Sequence, residues 1–307
     1  MGYDLKLDPD MHVLTHARAF QRHPEFRLVG GVDSAHQQRD VFEAHYGVPS
    51  YADVESAMDA LQPDVVAIAT PTALHGSTVR AVLRTGRPLA ILCEKPLSFE
   101  IDEARDLVDL CAQRGCRLFA NYMRRSDRGV VEVKRRLSEG LIDLPAKGVV
   151  WYSKGLFNNG SHFLNLLQYW LGDVTGFRVI EPGRLWDGID PEPDLTLSFL
   201  HGTVFFLAAH EEDFSHYTAE LVAPNGRLRY EQAGEKILWQ GTVKDAACDG
   251  YTILDASEEI IETNFSRVQW HVADQLAACV QGRQAQLCSG TEALQTLETL
   301  AAIRSTL

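Results

Sequence analysis

Four stretches of the chain carry side chains suited to chemistry, and they fall in an order that one site could use. The first is Cys93-Glu94-Lys95-Pro96, directly after the apolar run Pro88-Leu89-Ala90-Ile91-Leu92. Proline cannot donate a further ladder hydrogen bond, so a strand ends at Lys95 and leaves one cationic side chain at its carboxyl end. That end is where open α/β sheets bind ligands. An ordinary strand-to-helix turn with a solvated lysine fits the same residues. The second is Asp33, which closes the run from Phe26 to Val32. An acid there accepts hydrogen bonds from adenosine ribose hydroxyls and repels a 2′-phosphate, or it caps the helix that follows. The third is Ala69-Thr70-Pro71-Thr72-Ala73-Leu74-His75. A strand ends at Thr70, and the amides of the next helix start are placed to hold a polar or anionic group. A plain turn with His75 on a helix face reads equally well. The fourth is Lys154-Gly155-Leu156-Phe157-Asn158-Asn159-Gly160-Ser161-His162. Ser161 is the expected N-cap of an apolar helix. The helix dipole then disfavours the cation of His162 in the first turn, which leaves either a neutral base or a structural histidine.

Alternating strands and helices must position these residues. Phe26 to Asp33, Val65 to Ala69, Leu89 to Cys93 and Arg117 to Ala120 read as strands. Helices are expected over Ser34 to Tyr46, Asp53 to Leu61, Thr72 to Thr85 and about Phe99 to Arg114, the first stopped by Gly47 and the third by Gly86. Strands spaced by helices imply βαβ units and a parallel, doubly wound sheet. After Leu141 the pattern changes. The strand Gly148 to Ser153 and the helix Ser161 to Leu171 precede strands at Leu195–Leu200, Thr203–Ala208, Tyr217–Val222, Arg227–Glu231 and Glu235–Gln240, with Pro224-Asn225-Gly226 as a hairpin turn. Consecutive strands without helices read as a mostly antiparallel sheet. Helices Val268 to Val280 and Thr291 to Ser305 close the chain. The expected organisation is α/β over residues 1–122 and α+β over 123–307, with the final helices free to pack back on the first domain.

At 307 residues the chain suits two domains, and its net charge of −13 argues against a nucleic-acid or anionic-membrane surface. No apolar run reaches the length of a membrane helix, and Met1-Gly2-Tyr3-Asp4 does not open a signal peptide. Six cysteines without a Cys-x-x-Cys pair fit free thiols in a reducing cytoplasm. His210-Glu211-Glu212-Asp213-Phe214-Ser215-His216 lacks the spacing of a helical zinc site and reads as a solvated segment. The acids Asp187, Asp190, Glu192 and Asp194, interleaved with Pro191 and Pro193, read as a solvent-exposed connection rather than a calcium loop. No metal site is expected.

Taken in order, the strand-end Asp33, the Ala69-Thr70-Pro71-x-x-x-His75 stretch, Glu94-Lys95-Pro96 and Gly160-Ser161-His162 resemble the Gfo/Idh/MocA family of NAD(P)-dependent oxidoreductases, over nearly the whole chain. The resemblance implies a Rossmann domain, a second domain with an open antiparallel sheet, and hydride transfer between a nicotinamide and a hydroxyl or ketone of a sugar, nucleotide sugar or cyclitol. It gives Lys95 the task of polarising the reacting oxygen and His162 that of general acid/base. Asp33 would hold the adenosine ribose, with NAD preferred over NADP, and Thr70, Pro71, His75 and Glu94 would line the cofactor crevice with Lys95. Asn121, Tyr122, Arg124 and Asn159 would line the substrate pocket. A homodimer or homotetramer through the second domain's sheet is also implied.

Two departures stand out. The family carries an aspartate four residues before the catalytic histidine where this chain has Asn158, and Asn165 stands at a further position that is often acidic. An amide can orient an imidazole but brings no charge to an imidazolium. The family also opens on a buried strand and a Gly-x-Gly-x-x-Gly loop ahead of the helix that Thr15 to Phe20 matches, and residues 1–14 resemble neither. A start codon assigned too far downstream, or a trimmed chain, is expected rather than a genuinely shortened protein. The alternative is a sugar-binding or scaffolding descendant that has lost dinucleotide binding.

Overall fold

The computed structural model describes residues 4–209, 214 and 216–307. The His210–His216 stretch considered as a metal motif therefore lies mostly outside the described residues. Contacts divide the chain into two units, one of residues up to Ser126 with Ser266–Leu297, the other of Asp127–Phe265 with Glu298–Leu307.

The first unit opens with α1 (His16–Arg22), β1 (Gly31–Val32), α2 (His36–Tyr46), β2 (Ser50–Tyr51) and α3 (Val54–Leu61). It continues through β3 (Val65–Ile68), α4 (His75–Thr85), β4 (Ala90–Cys93), α5 (Ile101–Gln113) and β5 (Arg117–Ala120). The local signals act as their chemistry dictates. Gly47 takes the left-handed conformation that ends α2, and Asp53 caps α3 through the Ser56 amide at 2.8 Å. β3, β4 and β5 pair in parallel, Ile68 opposite Cys93 and Cys93 opposite Ala120. Strand β4 is buried on both faces, as a parallel strand under two helical layers must be. Ile91 and Cys93 pack with Val79, Val82 and Leu107, whereas Ala90 and Leu92 pack with Val272 and Leu276.

The strand expected over Phe26–Asp33 shrinks to the two residues of β1, which pairs only with β2. Among the described residues no strand pairs with the other edge of β1 or of β3.

The second unit holds α6 (Arg128–Ser138), β6 (Ala146–Tyr152), α7 (Ser161–Leu171), β7 (Val174–Trp186), β8 (Asp190–Phe199) and β9 (Gly202–Ala208). Then come β10 (Thr218–Ala223), β11 (Gly226–Glu231), β12 (Lys236–Lys244), β13 (Thr252–Leu254) and β14 (Glu259–Ile261). They form a nine-stranded sheet in the order β13-β12-β11-β10-β6-β9-β8-β7, with β14 beside β12. Every pair is antiparallel except β6 with β9. One sheet face, with Val150, Tyr152, Leu195 and Phe206, buries α7. The opposite face carries Val149 and Trp151, as period-2 alternation requires.

The chain then returns to the first unit as α8 (Val268–Val280) and β15 (Cys288–Ser289), and α9 (Gly290–Arg304) begins there. The leading segment of the first unit runs to Ser126 rather than to residue 122, and Ser266–Leu297 is grouped with it. Val272 and Leu276 join Ala90, Leu92 and Phe119, and Ala273 joins Val13 and Ala19, so α8 belongs with the first sheet's core.

Candidate functional site

In the first unit the polar residues gather at the carboxyl ends of the parallel strands. The ladder runs one residue past each strand, since the Glu94 amide donates to the Ile68 carbonyl at 2.9 Å and the Asn121 amide to the Cys93 carbonyl at 2.7 Å. Two side chains thereby meet. Asn121 Nδ2 donates to Glu94 Oε1 at 2.8 Å, and His16 Nε2 donates to the same oxygen at 2.9 Å. The Lys95 amide faces Glu94 Oε2 at 3.4 Å. Burial alone would raise the Glu94 carboxyl, but the donors from His16, Asn121 and the Lys95 amide outweigh it and hold the group below the usual carboxylate range. Asn121 was expected on the substrate side, and its amide instead fixes the carboxylate of the Glu94-Lys95-Pro96 turn. The Asn121 Oδ1 is buried with no partner among the described residues, and so is Thr70 Oγ1 at the end of β3. Unpaired buried polar atoms of this kind are uncommon in folded proteins.

A depressed carboxyl stabilises the fold above its unfolded value of about 4.5, and that contribution is lost as pH falls through the lower folded value. Glu94→Gln should therefore cost about 1 kcal/mol near neutral pH and flatten the acid limb of thermal stability. Melting temperatures of both proteins between about pH 7 and pH 3 check this; parallel acid limbs would disprove it.

His75 is not a crevice-lining group. Its ring is 1% exposed, with Nδ1 2.9 Å from the Pro96 carbonyl and Nε2 2.9 Å from the Thr70 carbonyl. It ties the Thr70-Pro71 turn to the turn after Lys95, whose peptide bond to Pro96 is cis. Pro71 leads into a 3₁₀ turn over Thr72–Leu74, so α4 starts at His75 rather than Thr72. Asp33 precedes α2, whose N-cap is Ala35 and takes no side-chain cap. Oδ1 accepts from the Ala35 amide at 2.8 Å, and Oδ2 has no partner among the described residues. Tyr122 also departs from the expected pocket, since its ring is buried in the core cluster with Leu97 and Leu118. Arg124 is half-buried in the turn Met123–Ser126. Its neighbour Arg125, which carries no motif, is buried and pairs with Glu292 at 2.6 Å. His16 was likewise missed; its signal was its place at the start of the helix that Thr15–Phe20 matches.

In the second unit the loop before His162 differs from its expected form. Lys154 and Gly155 are left-handed (φ 62° and 84°), and Gly155–Gly160 forms a π-helical turn that runs straight into α7. Ser161 is helical rather than an N-cap, and its hydroxyl donates to the Asn158 carbonyl at 3.0 Å. The helix thus starts at Gly155. His162 lies beyond its first turn, where the dipole effect has fallen off. It is 9% exposed. Asn159 contributes its carbonyl to the Tyr217 hydroxyl at 3.0 Å.

The acidic stretch is no solvent-exposed connection. Asp190, Glu192 and Asp194 lie on β8 at i, i+2 and i+4, hence on one face, and the first two are buried. Asp190 accepts from the Phe157 and Asn158 amides at 3.0 and 2.9 Å. Glu192 accepts from the Gly155 amide at 3.0 Å and from Arg184 Nε at 2.7 Å. The alternating prolines concealed a strand whose period-2 acids were the available signal. Asp187, by contrast, is exposed in the turn before β8.

A parallel sheet with a strand-end acid and polar groups at its carboxyl edge defines a dinucleotide-binding class of α/β domain. Residues 13–122 match the model of the Gfo/Idh/MocA oxidoreductase family, NAD-binding Rossmann fold. The chain is 28% identical over 129 residues to an inositol 2-dehydrogenase of Rhizobium meliloti, covering 41% of this chain and 38% of that protein. It is 37% identical over 103 residues to an inositol 2-dehydrogenase of Mycolicibacterium smegmatis, covering 32% and 29%. It spans less than half the length of these curated relatives. In fold it is similar to the WlbA dehydrogenase of Bordetella pertussis, solved with NADH and UDP-GlcNAcA, at a TM-score of 0.75 and 20% identity over 94% of this chain and 90% of that one. It is also similar to the UDP-N-acetylglucosamine 3-dehydrogenase of Acidithiobacillus ferrooxidans, with a TM-score of 0.76 and 14% identity over 95% and 93%. No described helix is long and apolar enough to cross a membrane.

Proposed function

We propose that the protein is an NAD-dependent oxidoreductase acting on a secondary hydroxyl, or the matching ketone, of a sugar, nucleotide sugar or cyclitol. The observation that carries this reading is the Glu94 carboxylate, held by His16 and Asn121 beside Lys95 at the carboxyl edge of a segment that matches the model of an NAD-binding family. The residues fit the cofactor. Glu94 is an ionised acceptor at the carboxyl edge of the sheet, and Asp33 Oδ2 is open to a ribose hydroxyl.

NAD, when bound, supplies the hydride acceptor. Lys95 donates a hydrogen bond to the substrate oxygen and stabilises the negative charge that develops there. His162 takes the hydroxyl proton in oxidation and returns it in reduction. With Asn158 at the position often held by an acid, no carboxylate side chain comes from that residue. Calorimetric titration of the chain should show NAD binding more tightly than NADP, because Asp33 repels a 2′-phosphate. Equal or tighter NADP binding would remove Asp33 from that role.

A second reading, a sugar-binding or scaffolding protein without dinucleotide affinity, draws support from the separation of β1 and β2 from the sheet of β3, β4 and β5. Absence of any NAD binding in the same titration would favour it over the enzyme.

The outer sheet face supports a homodimer or homotetramer. Trp151 is 40% and Ile260 67% exposed there, and an apolar face of this kind is stable in water when a second copy covers it. Trp151→Asp should then sediment as a monomer; a wild-type mass of one chain would exclude the interface.

A further inference from the structure

Two buried carboxylates, Asp190 and Glu192, lie outside the residues to which the proposed reaction assigns roles. Taking a carboxylate out of water costs several kcal/mol unless strong donors replace the solvent. Their donors are main-chain amides, those of Gly155, Phe157 and Asn158, joined on Glu192 by Arg184 Nε. These amides belong to the start of the π-helical turn, where helical N–H groups have no partner within the helix. No nearby side chain caps that turn. The caps come instead from β8, at separations of 37, 33 and 32 residues.

The backbone is shaped around the same contact. Gly155 is left-handed, and a Cβ there would collide with the Asp190 carboxylate. Tyr152, just before the loop, donates its hydroxyl to the Pro193 carbonyl at 2.6 Å, which pins the end of β6 to the same part of β8. The helix continues from this turn without a break into Ser161 and His162. A rotation or slip of the turn therefore moves the imidazole with it. π-helical turns hold an irregular ladder and frequently occur at functional sites.

We propose that Asp190 and Glu192 are positioning residues for His162, acting as remote caps that fix the turn from which α7 presents the imidazole. The catalytic consequence rests on the enzyme reading above, but the positioning does not. Asp190 also brings a negative charge to the amide of Asn158, the residue at which the family's aspartate is replaced.

Asp190→Asn tests this, because its carbonyl oxygen keeps one acceptor while the NH₂ group opposes an amide donor. Asp194→Asn is the control, since Asp194 bonds the Ala208 amide on β9 and not the turn. Two readouts need neither cofactor nor substrate: hydrogen exchange at the amides of residues 157 and 158, and the His162 ring resonances in histidine-labelled protein. Asp190→Asn should speed exchange about tenfold or more at the amide that faces the NH₂ group and shift the His162 resonances, and Asp194→Asn should do neither. Glu192→Gln repeats the test at Gly155 should Asp190→Asn fold poorly. Unchanged exchange and unmoved His162 resonances in both carboxylate variants would overturn the proposal, whether or not the wild type turns over a sugar. In turnover assays Asp190→Asn should lower kcat at least about tenfold with the KM for NAD unchanged. Wild-type kcat in a variant whose amides exchange faster would overturn the catalytic consequence alone, and an inactive wild type would instead count against the enzyme reading.

Discussion

Lys95→Ala should lower turnover of a sugar or cyclitol substrate by about 10²–10³-fold, the usual cost of removing one donor from a developing oxyanion. The loss belongs in kcat, because the lysine's bond to the substrate oxygen strengthens as charge develops there. NAD affinity should change little, since Glu94, Asn121, Thr70 and Asp33 retain their acceptors. His162→Ala should show the same pattern, with a loss of about 10²–10⁴-fold for a missing general base. The two variants separate from a folding defect by their cofactor affinity, measured by calorimetry. Wild-type turnover in either variant removes that residue from the reaction.

Trp170→Ala should destabilise the second unit by about 3–5 kcal/mol, a large share of the stability of a domain. The indole is 1% exposed, packs edge-on against Tyr230 with ring centroids 6.2 Å apart, and donates to the Val130 carbonyl at 3.2 Å. Truncation removes the packing, leaves a cavity under the sheet and takes away a buried carbonyl's donor. Chemical denaturation followed by circular dichroism measures the shift. A loss below about 1 kcal/mol would mean that the helix repacks into the space.

Within the first unit the alternation of strands and helices was legible because each strand is a short apolar run and each helix ends on a local signal. Gly47 and Asp53 act through their own backbone and nearest amides. The carboxyl-edge location of Lys95 followed equally from Pro96, which no ladder can pass. The reading failed where neighbours decide. Phe26–Asp33 has the composition of a strand, yet only Gly31 and Val32 are paired, because ladder length depends on the adjoining strand. The acids of 190–194 read as solvated because burial of charge depends on donors 32–37 residues away. His75 carried a family role, and its surroundings place both ring nitrogens on carbonyls and seal the ring from solvent.

By itself the sequence determined the class of each half, the order of the chemistry-bearing residues and the resemblance that the family model matches over residues 13–122. These depend on period, composition and short spacings, which a linear chain carries in full. Tertiary structure alone decided that Glu94 is held ionised by His16, that Asn121 serves that carboxylate, and that β8 caps the turn leading to His162. Each depends on where a donor from a distant segment comes to rest. A hydrogen bond acts over about 3 Å, whatever the number of residues between its ends.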